Sequence, residues 1–361
     1  MKNLFLSLTA LLFAFALFSC SESALTSNSS IDDGTISNPK EGNITTKGGN
    51  IITIANPVIV YLVHEYQTKG GPAIVDNMYV MNEDGSNKTK LMTINPYVHR
   101  QWIYPRWAPA GINTIYYGAR GNNFTWNGSV YSSNAVWLTD ISVVNNKPKA
   151  SKPRKIWDGS SNYSSCYDRA WNPNPNSNQI AIIVLYKPIM TRSIMLIPTN
   201  GNGVPTTIYT EGPDFWMQWL TFSPNGDYIA FARNNSSSKS IRVIERTSGN
   251  VVKDIDLSQF TYVGKLDWGR SLNSPIIAFH GTLNGINNMY TLDLSTNAIS
   301  LAFNNGTQTA MGSYSPDDSK MVYSNVTSPS YWEWEIRIYN FLTGTTSNVL
   351  AVGGEFSSWK R

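Results

Sequence analysis

An all-β protein, a six-bladed β-propeller of four-stranded antiparallel blades, is the architecture to which this chain of 361 residues points. Three observations carry that expectation. A short phrase (aromatic, small residue, Pro, then Asn, Asp or Gly) recurs along the chain. Each copy is followed by apolar runs joined by tight turns, and no segment beyond the N-terminal apolar run has helical periodicity.

The phrase is plainest in "SPNGDYIAFAR" at 223–233 and "SPDDSKMVYSN" at 315–325, and it recurs in "YPRWAPAGINTIYYGAR" at 104–120 and "DRAWNPNPNSNQIAIIV" at 168–184. A degenerate copy, "GKLDWGRSLNSPIIAFHG", lies at 264–281, and a truncated one, "EFSSWKR", lies at 355–361. Aligned on the aromatic before the turn, the anchors are Trp107, Trp171, Phe222, Trp268, Tyr314 and Trp359, spaced by 64, 51, 46, 46 and 45 residues. Periods of that size mark a repeat array. Within each copy the aromatic ends one strand. Pro presets φ for the turn, and Gly or Asn tolerates φ > 0. An apolar strand follows, such as Ile229 to Ala232 or Met321 to Tyr323. A second hairpin comes next, clearest in "NMYVMNEDGSNKTKLMT" at 77–93, where Asp84 and Gly85 form the turn.

Ring closure follows from the ends of the array. The first copy, from "VIVYLVHE" onward, lacks the innermost strand, whereas "EFSSWKR" is such a strand with no blade after it. Their pairing would complete one blade and remove an exposed edge, with Ile51 to Ile54 as an alternative partner. The anchor aromatics are expected to pack between blades. "YVMNEDGSN" together with the aromatic-Ser-Pro-Asn/Asp-Gly phrase resembles the propeller repeat of the Tol-system protein TolB and its relatives, over residues 51–361. The resemblance implies the fold. On function it is broad, since such propellers serve as binding modules and as parts of enzymes. TolB carries a separate domain before its propeller, where this chain has a polar segment.

The N-terminus is expected to lie outside the fold. Lys2 precedes the apolar run Leu4 to Phe18, the layout of a signal peptide over residues 1–19. The run ends in "LFSC", which resembles the bacterial lipobox: Ser19 precedes Cys20, the residue expected to carry lipid. Residues 20–50 are rich in Ser, Thr, Asn and Gly and hold almost no large apolar side chain, so they are expected to be a flexible tether. A bacterial outer-membrane lipoprotein, periplasmic or surface-facing, is the localisation this implies. Only Cys166 remains after Cys20, so the mature chain has no thiol pair for an internal disulfide.

Charge is sparse, with 28 Lys and Arg against 24 Asp and Glu and no basic block, which argues against nucleic acid as a partner. "HEYQT" at 64–68 begins like a zinc-protease motif, but Thr68 stands where the second His must be. His64, His99 and His280 would have to converge to form a lyase-type metal cluster, and rim or core roles are preferred for them. No G-x-S-x-G elbow is present. Asn82, Asp84 and Ser86 belong to hairpin chemistry rather than calcium binding. No cofactor, no metal and no catalytic residue are expected.

The remaining signal is an asymmetry of aromatics. In blades whose strands run A to D outward, the A–B and C–D turns share one face, where Tyr228 is nearly the only aromatic. The opposite face, formed by B–C and D–A connections, carries many Trp, Tyr and Phe residues. Trp102, Trp126, Trp216, Trp332 and Trp334, with His99 and Arg100 as polar neighbours, are expected to rim the channel mouth there and hold a ligand. The function expected is noncatalytic: binding or scaffolding of an envelope protein or peptide by a monomer held to the membrane through its N-terminal lipid. A carbohydrate-binding lipoprotein is the alternative, and a propeller lyase or hydrolase the more distant one.

Overall fold

The structure is a computed structural model. It describes residues 45–47, 50–52, 55–66, 73–94, 104–119, 124–126, 129–131, 135–159, 163–271, 274–304, 307–328 and 333–361. The expected signal peptide, Cys20 and most of the tether lie outside the described residues.

Six blades succeed one another in chain order, their strands named A to D from the axis outward. Blade 1 is Gly354–Trp359, Ile59–Tyr66, Ala73–Met81 and Thr89–Ile94. Blade 2 is Arg106–Trp107, Thr114–Ala119 and Ala135–Val144, with Lys147–Ala150 and Arg154–Asp158 sharing the outer edge. Blade 3 is Tyr163–Trp171, Gln179–Tyr186, Thr191–Pro198 and Thr206–Glu211, and blade 4 is Trp216–Phe222, Tyr228–Asn234, Lys239–Glu245 and Val251–Asp256. Blade 5 is Tyr262–Trp268, Ile276–Leu283, Ile286–Asp293 and Ile299–Leu301. Blade 6 is Gln308–Tyr314, Lys320–Ser328 and Glu333–Asn340, with Thr345–Thr346 and Ala351–Val352 on its outer edge.

The ring closes as the repeat ends require. Gly354–Trp359 pairs antiparallel with Ile59–Tyr66, placing Trp359 opposite Ile59 and Gly354 opposite Val63. Ile51 takes another partner: Asn50–Ile52 forms a small hairpin with Thr45–Lys47, so strand structure begins a few residues before the expected boundary at 51. The insertion in blade 2 also has a place. Phe124–Trp126 and Ser129–Tyr131 form a hairpin added to Thr89–Ile94, the outer strand of blade 1, through Thr93–Thr125 and Ile94–Phe124.

All six anchors are buried, as packing residues between blades should be. Second strands such as Gln179–Tyr186 are apolar and buried on both faces, because each blade lies between two others. The recurring turn phrase has a common hydrogen-bond plan. Ser223 N–H donates to Tyr228 O (3.0 Å), Tyr228 N–H donates back to Ser223 Oγ (2.9 Å), and Gly226 N–H donates to Ser223 O (2.9 Å). Ser315 repeats it with Lys320 (2.9 Å in each direction) and with Asp318 N–H (3.1 Å). Position 226 needs Gly: its φ is +78°, and a Cβ would come within 1.9 Å of Asn172 Oδ1 in the neighbouring blade.

Candidate functional site

A propeller's A strands have no strand on their axial side, so their inner edges offer unpaired N–H and C=O groups to a narrow channel. Here polar side chains of the adjacent blade take them up. The anchor N–H of Trp268 donates to Thr221 Oγ1 (3.1 Å), that of Tyr314 to Asp267 Oδ2 (2.8 Å), and that of Trp359 to Ser313 Oγ (3.2 Å). Thr221, Asp267 and Ser313 each stand one residue before their own blade's anchor, so the link repeats from blade to blade. Trp171 N–H uses Tyr116 OH instead (3.2 Å). Asp168 accepts from Leu220 N–H (2.5 Å), and Arg106 donates to Leu220 O (2.7 Å) while pairing with Asp168 (3.1 Å).

Three residues before the anchor, the inner strands share a second feature. Tyr104, Trp219, Lys265, Met311 and Phe356 all have positive φ, between 26° and 64°. In blades 1, 4, 5 and 6 a break of pairing register accompanies the kink. Tyr104 meets Trp219 and Phe356, each with ring centroids 4.6 Å apart. Those rings come from blades 2, 4 and 1, and blades 2 and 4 are not neighbours; they meet across the axis. The channel is therefore plugged by aromatics. Trp219 Nε1–H donates to Tyr262 OH (2.8 Å), which fixes the plug to blade 5.

Charged groups flank the plug. Asp267 pairs with Arg270 (2.7 Å) and lies 3.6 Å from Arg361. Burial would raise its carboxyl, but Arg270, Arg361 and the Tyr314 N–H outweigh that and hold it below the usual range. Lys265 is buried, with its ammonium 3.3 Å from Ser357 O. Burial first, then the Arg106 charge, pushes it down to about 7. Arg361 is lowered to about 10 by burial and then by Arg270.

On the face formed by D–A and B–C connections, Phe215 and Trp216 stand at the junction of blades 3 and 4. Trp216, the first residue of its A strand, is 42% exposed, and the Arg192 guanidinium lies 4.0 Å from its ring centroid. Arg192 also donates to Phe215 O (3.0 Å), and the Phe215 ring carries Arg233 at 3.1 Å. Arg233 and Arg242 both pair with Glu211, at 2.8 and 3.0 Å. Trp216 is thus an exposed aromatic in a fixed setting.

The other expected site residues divide three ways. His99, Arg100, Trp102 and Trp332 lie outside the described residues. Trp126 is on the hairpin beyond the outer strand of blade 1, the fifth strand from the axis, and so stands at the periphery and not at the channel mouth. Trp334 is buried, 5% exposed, and packs with Ala310 and Val326. The alternation along Glu333–Asn340 explains this correction: Trp334 shares the core face with Ile336 and Ile338. His280 is 6% exposed beside Tyr262, and burial pushes it down to about 4. Among the described residues no group of His, Cys, Asp and Glu is placed to hold a metal ion.

No family model matches the sequence, and neither does any curated protein. Solved structures do match. A TolB crystal structure from Acinetobacter baumannii superposes with a TM-score of 0.60 at 14% identity, over 84% of this chain and 66% of that one, so this chain spans just under two thirds of its length. The fold is that of the TolB propeller. A TolB from Agrobacterium tumefaciens gives 0.54 at 14% identity, covering 83% of this chain and 91% of that one. A chain of a nidogen/laminin complex gives 0.55 at 7% identity, with 84% and 98% covered. These likenesses concern the fold.

Lys265 yields a signed prediction. Its folded pKa, about 7, lies below the ordinary lysine value of 10.5, so the unfolded chain binds more protons between those values and stability contributed at this site rises with pH there. Lys265→Met, which imitates Met311 at the matching position of blade 6, removes the titration. The melting temperature of wild type relative to this variant should climb between pH 7 and 9.5. A difference that does not change with pH would contradict the buried, weakly basic lysine.

Proposed function

We propose that this protein is a noncatalytic binding propeller of the bacterial cell envelope, held to the membrane through a lipid on Cys20 and engaging an envelope protein or peptide. The single observation that carries the binding part is Trp216. An exposed indole fixed by a guanidinium offers large contact area with little ordering cost, the property that makes Trp a frequent hot spot in interfaces. The aromatic plug favours a binding role over chemistry along the axis, and the burial of His280 removes one residue that a lyase reading would need. The envelope assignment rests on the signal-peptide layout and the "LFSC" phrase. No helix among the described residues is long and apolar enough to cross a membrane.

Two measurements test the halves separately. Trp216→Ala should melt close to wild type while losing most retention of the partner captured from envelope extract; a loss of about 2 kcal/mol corresponds to roughly 30-fold weaker binding. Unchanged retention removes Trp216 from the site, and capture of glycans on an array in place of protein would move the reading to carbohydrate binding. For the anchor, labelled palmitate should enter the wild-type chain and not Cys20→Ala. Equal labelling of the two would exclude the lipid at that residue.

A further inference from the structure

The turn face holds a second feature, independent of Trp216. Two residues after each anchor, the six repeats read Pro109, Pro173, Pro224, Arg270, Pro316 and Arg361. All six line one cavity of about 240 Å³ at the axial mouth, together with Ala110, Phe222 and Gly269. Four positions of the ring are thus apolar prolines and two are guanidinium groups, in the degenerate and truncated copies of the phrase. Arg270 and Arg361 also wall a chamber of about 10 Å³ beneath, with Arg106, Lys265, Asp267, Ser313 and Ser358.

The Arg270 position is built. Its backbone N–H donates to Asp318 Oδ1 (2.6 Å) from blade 6, and its guanidinium is held by Trp268 O (3.0 Å) and Asp267 (2.7 Å). Even so, the buried Nε–H groups of Arg270 and Arg106, both in the chamber wall, have no partner among the described residues. Among the described residues, Arg106, Lys265, Arg270 and Arg361 wall the chamber with Asp267, and Asp168 pairs with Arg106 behind it, four cations against two carboxylates. The lowered basicity of Lys265 and Arg361 reflects burial and, after it, the like charges beside them. A site with surplus buried positive charge, unused donors and an apolar vestibule suits an anion with an apolar body. The chamber is about the size of one water, so an anionic head sits above it in the vestibule, where the Arg270 and Arg361 guanidinium groups suit the two oxygens of a carboxylate.

We propose that the proline-ringed mouth binds a monocarboxylate bearing an apolar side group, its carboxylate on Arg270 and Arg361 and its body among Pro109, Pro173, Phe222, Pro224 and Pro316. A peptide C-terminus and a small free acid share this chemistry. Calorimetry with 3-phenylpropionate as probe tests it, beside the neutral 3-phenylpropanamide and inorganic phosphate. The acid should bind the full chain, the amide and phosphate at least tenfold more weakly, and Arg270→Gln should weaken the acid at least tenfold. Because Arg270 also holds Asp267, Ala110→Glu supplies the second variant: it sets a carboxylate on the exposed rim and should weaken the acid similarly without lowering the melting temperature. Repeating the titration with a hydrophobic tripeptide and its C-terminal amide distinguishes a peptide terminus from a small acid. Absence of acid binding, equal binding of the amide, or indifference to both substitutions would overturn the proposal. None of these outcomes depends on Trp216.

Discussion

Six strand edges facing one another across a narrow channel are the constraint on which the rest of this structure depends. Each inner strand has a neighbour on its outer side only, and its axial N–H and C=O groups cannot reach bulk water through a plugged channel. An unsatisfied backbone group in such a place costs on the order of 1–3 kcal/mol, so several left open would consume much of a domain's ~5–15 kcal/mol stability. Thr221, Asp267 and Ser313 answer it with the same link from one blade to the next, and Asp168 and Arg106 answer it with charge. The ion pairs of the channel are therefore first of all supports for backbone. That origin explains why carboxylates and cations cluster on the axis.

The positive-φ residues belong to the same solution. A non-Gly residue in that region costs on the order of 1 kcal/mol, yet the feature recurs three residues before five anchors. Tyr104, Trp219 and Phe356 turn their rings together on the axis, where burial and ring contacts offset the strain. Where the residue is Lys265 the plug gains a cation that burial makes weakly basic. Filling the axis in this way separates the two faces: Trp216 starts its inner strand on one, and prolines and two arginines ring the mouth on the other.

Much of the ring was legible in the sequence because its signals are local. Anchor, Ser-Pro turn and following apolar strand are neighbours along the chain, and Ser223 and Ser315 make the same bonds because the same residues stand beside them. Closure by Gly354–Trp359 could be inferred from one missing and one surplus strand. The plug was not legible, since Tyr104, Trp219 and Phe356 share a position but not a residue type, and only left-handed backbone brings them together. Trp334 turns inward because it belongs to a strand and not to a connection, where it alternates in step with Ile336 and Ile338. Trp126 lies at the periphery because the connection between the second and third strands of blade 2 runs outward to extend blade 1, a long-range pairing that no local signal announces. The two arginines of the turn face are legible in the sequence as departures from Pro in the aligned column of Pro109, Pro173, Pro224 and Pro316.

The central claim is that the inner strands form one continuous, side-chain-capped ring in which the C-terminal strand is an equal member. Amide hydrogen exchange at Trp268, Tyr314 and Trp359 measures it directly, because their N–H groups make the repeated link to the residue before the preceding blade's anchor. All three should rank among the slowest amides of the protein and exchange with similar protection, as members of one cooperative unit. Protection of Trp268 and Tyr314 with rapid exchange at Trp359 would show a last strand that opens on its own, and would contradict the closed ring.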